Sequence, residues 1–174
     1  MPGLERGTVE LVPHDPDWQR EYAAEVERLE ALVGERVTAF EHVGSTAIEG
    51  LAAKPIIDVL AVVDDLAAAT DLVSVLESHG YEHRPNDDVS GRLFLAKGPR
   101  TDRTHYLSIA EYGSDRYIDQ IAFRDYLRFH PEVAVAYEEL RRRLAVEYPD
   151  DRASYTEAKA SFVQRVLERA TDRE

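Results

Sequence analysis

Residues 40–63, FEHVGSTAIEGLAAKPIIDVLAVV, decide the fold more than any other stretch of this chain. An apolar segment runs into the small pair Gly44-Ser45, and a second, nearly continuous apolar segment after Pro55 contains one acid, Asp58. A carboxylate buried alone is costly, so we expect Asp58 to lie at a strand end or to face a cation or a metal ion. A turn of small residues can bring backbone N–H groups close to a phosphate, and a later carboxylate can hold the accompanying divalent ion. The pattern therefore favours nucleotide chemistry, although an ordinary turn before a strand would look the same.

Hydrophobic periodicity predicts strands and helices in a single domain, residues 1–174. The predicted strands are 37–43, 56–63, 92–98 and 104–110, the last two joined by a turn around Gly98-Pro99. The predicted helices run from Asp15-Pro16 to Gly34, from Leu66 to Gly80, and over 115–129, 131–148 and 151–170. This order predicts an α/β (α+β) fold, in which helices pack against a mixed sheet.

The segment EHVGSTAIEGLAAKPIIDVL, residues 41–60, resembles the central signature of the GrpB family, also called UPF0157, within the nucleotidyltransferase-fold superfamily. Further matching segments follow in the same order: GRLFLAKG at 91–98, RTHYL at 103–107, FRDYLRFHP at 123–131 and YTEAKASF at 155–162. The resemblance covers roughly residues 7–170. It implies a nucleotidyltransferase-like fold with C-terminal helices.

The acid of the signature stands alone on its strand. The wider superfamily usually has two acids in an Asp-x-Asp pattern, whereas here the residue two after Asp58 is Leu60. Residues two apart on a strand point to the same face, so a pair of acids can share one or two magnesium ions. The resemblance therefore carries over Asp58 as a metal ligand, and Leu60 weakens the case for two-metal phosphoryl transfer.

The resemblance implies roles for four residues of the signature. Gly44 and Ser45 would cradle a phosphate, and Lys54 and Asp58 would be catalytic, Lys54 by steadying charge that develops in transfer and Asp58 through its metal ion. The alternatives are a simple turn at Gly44-Ser45 and a solvated loop lysine at Lys54.

Two residues outside the signature complete the predicted site. Arg103 is expected to contact phosphate together with Gly44 and Ser45. His105 begins a predicted strand and is expected to lie beside Asp58, completing a mixed nitrogen and oxygen shell around Mg²⁺, the implied cofactor. A lone strand histidine with a purely structural role is the alternative.

Three other groups leave two interpretations open. The first is a cationic patch that could hold a triphosphate or an RNA end, or pair with surface acids: Arg92, Lys97, Arg100 and Arg103. Asp125 could join an ion-pair network or serve as a third metal carboxylate. Tyr155 and Lys159, one helical turn apart, could dock against the sheet or bind a ligand.

Charge and composition narrow the classes of partner. The net charge is -13, which argues against binding of duplex nucleic acid unless a basic cluster overrides it. Three of the 21 cations are lysines, at 54, 97 and 159, which leaves 18 arginines. An acid-rich, lysine-poor surface suits high salt, where self-repulsion is screened, so we expect a halophilic protein. The absence of cysteine excludes disulfides and thiolate chemistry.

The leading functional hypothesis is a magnesium-dependent nucleotidyltransferase that binds a nucleoside triphosphate and transfers a nucleotidyl group to an unidentified acceptor. The alternative is a nucleotide- or metabolite-binding module that has lost catalysis, with a link to coenzyme A metabolism because family members occur fused to dephospho-CoA kinase. An RNA-associated protein would need a continuous basic groove. The chain has no long apolar span and no signal-peptide profile in MPGLERGTVE, so we expect a cytoplasmic protein with no membrane partner.

Overall fold

A computed structural model of the chain describes residues 3–5, 9–85 and 91–171. Its five strands form one sheet in the order β1-β2-β5-β4-β3. The strands are β1, Ala39–Val43; β2, Ile57–Val63; β3, Tyr81–His83; β4, Leu93–Lys97; and β5, His105–Glu111. Strands β2 and β5 pair in parallel, and the other neighbours are antiparallel, so the sheet is mixed as predicted.

Five α-helices accompany the sheet in the part of the chain that the structure describes. They are α1, Asp17–Val33; α2, Leu72–Glu77; α3, Asp115–Phe129; α4, Pro131–Glu147; and α5, Arg152–Thr171. Helix α1 begins one residue later than predicted, where the Asp15 carboxylate accepts the Asp17 N–H at 2.9 Å, and it ends at Gly34 as expected. No helix in the described ranges combines the length and the apolar character needed to cross a membrane.

The segment predicted as one helix from Leu66 to Gly80 is divided in two. A 3₁₀ turn, Ala68–Asp71, precedes the six-residue helix α2. The carboxylate of Asp65 accepts the N–H of Ala67 at 3.0 Å, and such local side-chain bonds favour a turn over a regular helix start. Strand β3 was not predicted because three residues are too few to display an alternation.

The two faces of the sheet have different coverings. On one face, which we call the core face, Ile57 and Val59 of β2 lie beside His105 and Leu107 of β5 and pack under α1 and α2. The packed residues include three that are fully buried, Leu29, Leu76 and Leu95. Burial of one such side chain stabilises the fold by about 1.5–3 kcal/mol, so this face supplies most of the core.

The opposite face, which we call the cavity face, has both polar and apolar side chains. Asp58 and Leu60 of β2 lie beside Tyr106 and Ser108 of β5. Helix α3 covers part of this face, and α4 and α5 pack beyond it around a second apolar cluster: Ile48, Leu51, Leu127, Tyr137 and Val166. Because Ile48 and Leu51 belong to the loop between β1 and β2, this cluster fixes that loop against the helices.

Candidate functional site

A cavity of about 700 Å³ lies between the cavity face and helices α3, α4 and α5. Four of the six predicted site residues line it: Gly44, Ser45, Lys54 and Asp58. The antiparallel register sets Val43, the last residue of β1, opposite Asp58. The Gly44-Ser45 turn therefore begins directly beside this carboxylate, which is the arrangement that the sequence predicts.

The turn after β1 depends on glycine and on contacts from the helices. Gly44 has φ +73°, in the left-handed region that favours glycine, and the following Ser45–Ala47 form a 3₁₀ turn. The guanidinium of Arg141 donates to the Ser45 hydroxyl at 3.0 Å and also to the Ala52 carbonyl. Arg128 donates twice to the Ala47 carbonyl, at 3.0 and 2.7 Å. The loop that presents Ser45 is thus held by the buried Arg141 and by the exposed Arg128.

A histidine of the signature supports the same turn from the core face. The Nε2 of His42 lies 2.9 Å from the Thr46 hydroxyl, and its ring stacks on Tyr22 with centroids 4.4 Å apart. Burial, with Arg128 and Arg124 nearby, lowers the pKa of His42 to about 4, so the ring is neutral at physiological pH. His42 therefore acts as a positioning residue for the turn.

Cations surround the Asp58 carboxylate. The positive charges that act on it belong to Lys54, Lys159, Arg152 and Arg92. The Asp58 side chain is half-buried in the lining of the cavity. Burial raises the pKa of Asp58 to about 6 despite these cations, so a fraction of the carboxyl groups is protonated near neutral pH.

Lys54 and Lys159 approach the same aromatic ring. Their ammonium nitrogens lie 5.1 and 5.0 Å from the ring centroid of the fully buried Tyr155. Burial, the neighbouring charge of Lys159 and that of Arg152 hold the pKa of Lys54 well below its usual range. The carboxylate of Asp58 alone does not neutralise these cations. An anionic ligand would supply the missing negative charge.

The structure does not bring the other two predicted residues to the cavity. The buried Arg103 donates to the Gly98 carbonyl and to Glu82 at 2.6 Å, and so holds the turn between β4 and β5. His105 lies on the core face, where its Nδ1 is 2.8 Å from the Thr104 hydroxyl and burial lowers its pKa to about 4. Residues one apart on a strand point to opposite faces, so His105 is separated from Asp58 by the sheet itself.

The remaining predicted groups are also separated. Of the cationic patch, Arg92 lines the cavity, whereas Lys97 binds the buried Glu25 on the core face and Arg100 is exposed. Asp125 pairs with Arg124 at 2.9 Å, which confirms the ion-pair interpretation. Lys159 lines the cavity.

Arg141 and Arg152 are functional candidates that the sequence reasoning missed. In α4 the buried residues Tyr137, Arg141 and Leu144 recur at helical spacing, so Arg141 occupies an apolar-stripe position and is 1% exposed. A charged residue within such a stripe is a usable signal for an internal partner. Arg152 at the start of α5 donates to the Tyr106 hydroxyl on the cavity face, and no sequence pattern indicated that contact.

The residues present do not fit a magnesium centre built by the protein. Leu60, at the position where the superfamily has its second acid, is fully buried, and the β5 residues nearest on this face are Tyr106 and Ser108. On the β1 side its neighbour is Glu41, which is paired with Arg124 at 3.4 Å. Within the described ranges, no group of three His, Cys, Asp or Glu side chains could hold a metal ion. The oxygen-rich shell that Mg²⁺ requires is therefore not supplied by these side chains.

Comparisons with known proteins agree with this architecture. The family model described as GrpB protein matches residues 8–169. The glutamate-rich protein GrpB of Alkalihalophilus pseudofirmus is 39% identical over 171 residues, which cover 96% of this chain and 98% of that protein. The crystal structure of the conserved protein GrpB from Enterococcus faecalis superposes with a TM-score of 0.86 at 33% identity, covering 94% of this chain and 98% of that chain.

A more distant likeness concerns the fold alone. The Cid1 poly(U) polymerase bound to MgATP superposes with a TM-score of 0.54 at 11% identity, covering 76% of this chain and 44% of that chain. The sheet and its helices therefore have the nucleotidyltransferase-like fold that the sequence predicts.

Proposed function

This chain belongs to the GrpB family, and we propose that its cavity binds a nucleoside phosphate. The observation that carries the proposal is the excess of positive charge around Asp58. An unbalanced cluster of cations in a partly enclosed site is strongly stabilised by an anion, because the low local dielectric strengthens the attraction.

The cavity is positive although the protein is strongly acidic. Five cations line it, Lys54, Arg92, Arg116, Arg141 and Lys159, against three acids, Asp58, Asp115 and Asp119, which gives 5 - 3 = +2. The whole chain has a net charge of -13. Local cations held against that background attract a small polyanion, whereas the surrounding surface repels a long one such as duplex nucleic acid.

The helical wall of the cavity suits the nucleoside part of the ligand. Phe123 of α3 and Tyr137 of α4 line the cavity with ring centroids 5.3 Å apart, and Val163 and Leu167 of α5 line it as well. Aromatic and aliphatic side chains of this kind bury a planar base, while the cations beneath them bind phosphate. A ligand with a flat ring and several phosphate groups matches both walls.

The test is isothermal titration calorimetry of ATP, UTP, ADP and dephospho-CoA into the full chain, with and without Mg²⁺. We expect saturable binding of at least one of these compounds. Lys159→Glu is expected to weaken it by about tenfold or more, corresponding to about 1.4 kcal/mol. The matched control is Arg142→Glu, which makes the same charge change at an exposed position of α4 and should bind as the wild type does. If none of the four compounds binds, with or without Mg²⁺, the proposal is wrong.

A second candidate function is nucleotidyl transfer. It is favoured by the position of Asp58 beside the Gly44-Ser45 turn and by the fold shared with Cid1, whose structure holds MgATP. In this reaction an acceptor hydroxyl oxygen attacks the α-phosphorus, pyrophosphate leaves, and Asp58 takes the hydroxyl proton. Release of pyrophosphate that depends on both an acceptor and Asp58 would support transfer. Nucleotide binding without pyrophosphate release across an acceptor panel would leave the binding module as the function.

Dephospho-CoA separates the coenzyme A hypothesis from general nucleotide binding. It has an adenosine and a diphosphate as ADP does, but adds the pantetheine arm. Tighter binding of dephospho-CoA than of ADP would favour the link to coenzyme A metabolism, and tighter binding of ADP would argue against it.

A further inference from the structure

We infer that this site binds phosphate groups without a divalent metal ion, and that the ammonium groups of Lys54 and Lys159 neutralise the phosphate charge that magnesium neutralises in MgATP. This inference rests on the proposed function, because it describes how the proposed nucleoside phosphate is held. It departs from the magnesium dependence that the sequence predicts.

The sheet lacks the second carboxylate that a shared magnesium ion would need. A magnesium ion that bridges phosphates needs protein oxygens opposite the ligand, and alternate positions of one strand are where two acids can share it. Here Leu60 fills the second position and is 0% exposed, so it has no oxygen to offer and no room to move. Glu41 of β1 lies opposite Leu60 but pairs with Arg124 at 3.4 Å and does not line the cavity, so Asp58 is the carboxylate that these strands present to it.

The second argument is the charge around that carboxylate. Lys54, Lys159, Arg152 and Arg92 act on it, and the lining of the cavity as a whole has a net charge of 5 - 3 = +2. This positive charge repels a free divalent cation and offsets about half of the roughly fourfold negative charge of a nucleoside triphosphate. The protein therefore provides part of the neutralisation that magnesium would otherwise provide.

The third argument is where the lysines lie. The chain has three lysines against 18 arginines, and two of the three line this cavity. Lys54 comes from the loop before β2 and Lys159 from α5, yet both ammonium groups lie about 5 Å from the ring of Tyr155. A lysine ammonium is a compact point charge with three donors, which resembles a bound cation more than a planar guanidinium does.

The charge cluster also predicts a proton linkage. Neighbouring cations and burial hold the pKa of Lys54 below its usual range, and a bound phosphate would raise it again. The same phosphate raises the pKa of Asp58, because like charges disfavour each other's ionised forms. Both shifts favour the protonated forms of the two groups in the complex.

The direct test is calorimetry of ATP binding to the wild-type protein in EDTA and in excess Mg²⁺. We expect the affinity in EDTA to equal or exceed that in Mg²⁺, since magnesium neutralises the phosphates that the lysines would bind. Binding that is about tenfold or more tighter with Mg²⁺ would overturn the inference and leave the proposed function intact. An absence of ATP binding in both conditions, for a protein that binds none of the other nucleotides, would overturn both.

Variants assign the effect to the lysines. Lys54→Met and Lys159→Met are each expected to weaken ATP binding in EDTA by about tenfold or more, and the exposed control Arg142→Met should bind normally. Repeating the titrations in buffers of different ionisation enthalpy measures proton uptake, which should be present in the wild type and reduced in Lys54→Met. Should Lys54→Met fail to fold, judged by circular dichroism, Lys159→Met alone decides the matter. Unchanged affinity in a folded variant of either lysine would overturn the inference.

Discussion

The carboxylate of Asp58 occupies the space that a side chain at Gly44 would need. An ideal Cβ built on Gly44 would lie 2.3 Å from Oδ2 of Asp58 and 3.0 Å from its Cγ. The turn and the acid of the signature are therefore parts of one structure, because the strand register sets them side by side and the missing side chain lets them touch. This contact explains why a glycine precedes the serine of the proposed phosphate turn.

Gly44→Ala is expected to destabilise the protein more than Gly50→Ala. Both glycines have positive φ, +73° and +82°, which costs alanine about 1–2 kcal/mol in each case. Nothing lies within 4 Å of a Cβ at Gly50, whereas the clash at Gly44 adds about 1–3 kcal/mol. Urea denaturation of the two variants measures the difference, and equal losses would contradict the close contact between Gly44 and Asp58.

Asp58→Asn is expected to raise the free energy of unfolding at slightly alkaline pH by about 1–3 kcal/mol. Each unit of pKa shift corresponds to about 1.4 kcal/mol, and the lower end of the range allows for the solvent that reaches the group through the cavity. The pKa of Asp58 is raised from 3.8 to about 6, so the folded protein binds this proton more tightly than the unfolded chain. Wild-type stability is therefore lost as pH rises through about 6, and the gain from asparagine should vanish below about pH 4. Denaturation curves across this range check the sign, and a destabilised Asp58→Asn above pH 6 would contradict it.

A buried ion pair on the core face should matter for folding and not for the ligand. Lys97 lies 2.7 Å from Glu25, and burial of that acid is outweighed by hydrogen bonds from Lys97 and Tyr81, which hold its pKa at about 2. Lys97→Met leaves this buried carboxylate with Tyr81 and the exposed Arg28 as its partners, and it is expected to cost about 3–5 kcal/mol. Arg28 also pairs with Glu25, but the Arg28 side chain is 55% exposed. Arg28→Met should therefore cost less than about 1 kcal/mol.

Both variants are measured by chemical denaturation and, where folded, by ATP titration. Unchanged affinity in the two variants is expected because the sheet separates this pair from the cavity. A loss of affinity in folded Lys97→Met would contradict the assignment of Lys97 to the opposite face.

Many helix and strand boundaries can be predicted from the sequence because they depend on neighbouring residues. Helix α3, Asp115–Phe129, has the predicted limits, since the Ser114 hydroxyl accepts the Tyr117 N–H at its start and Pro131 follows its end. Strand pairing is not local, and the prediction that His105 would lie beside Asp58 required a register that no pattern supplies. The structure pairs Ile57 with His105 and therefore Asp58 with Tyr106.

The sequence predicted the part of the candidate site that belongs to the signature, and it did not predict the part that comes from the C-terminal helices. Gly44, Ser45, Lys54 and Asp58 lie within fifteen residues of one signature, so a single local motif identifies them. Arg141, which lines the cavity, and Arg152, which contacts Tyr106, come from helices about a hundred residues later and are brought there by tertiary packing. Their positive charges support the proposed anion site, and their approach to this face is visible only in three dimensions.

The melting temperature is expected to rise between low and molar potassium chloride. The net charge of -13 and the scarcity of lysine describe a surface on which acids outnumber their partners, and salt screens their repulsion more than it weakens the few ion pairs. Differential scanning calorimetry over a salt series measures this. Potassium sulfate serves as a second salt, and a melting temperature that stays flat or falls in potassium chloride would reject halophilic adaptation.

The most direct test of the central claim is a crystal structure of the full chain with a non-hydrolysable ATP analogue. The account predicts phosphate oxygens within hydrogen-bond distance, about 2.7–3.2 Å, of the ammonium groups of Lys54 and Lys159, with the base against Phe123 and Tyr137. Phosphates bound instead at the exposed Arg100, or an empty cavity at saturating analogue, would contradict it.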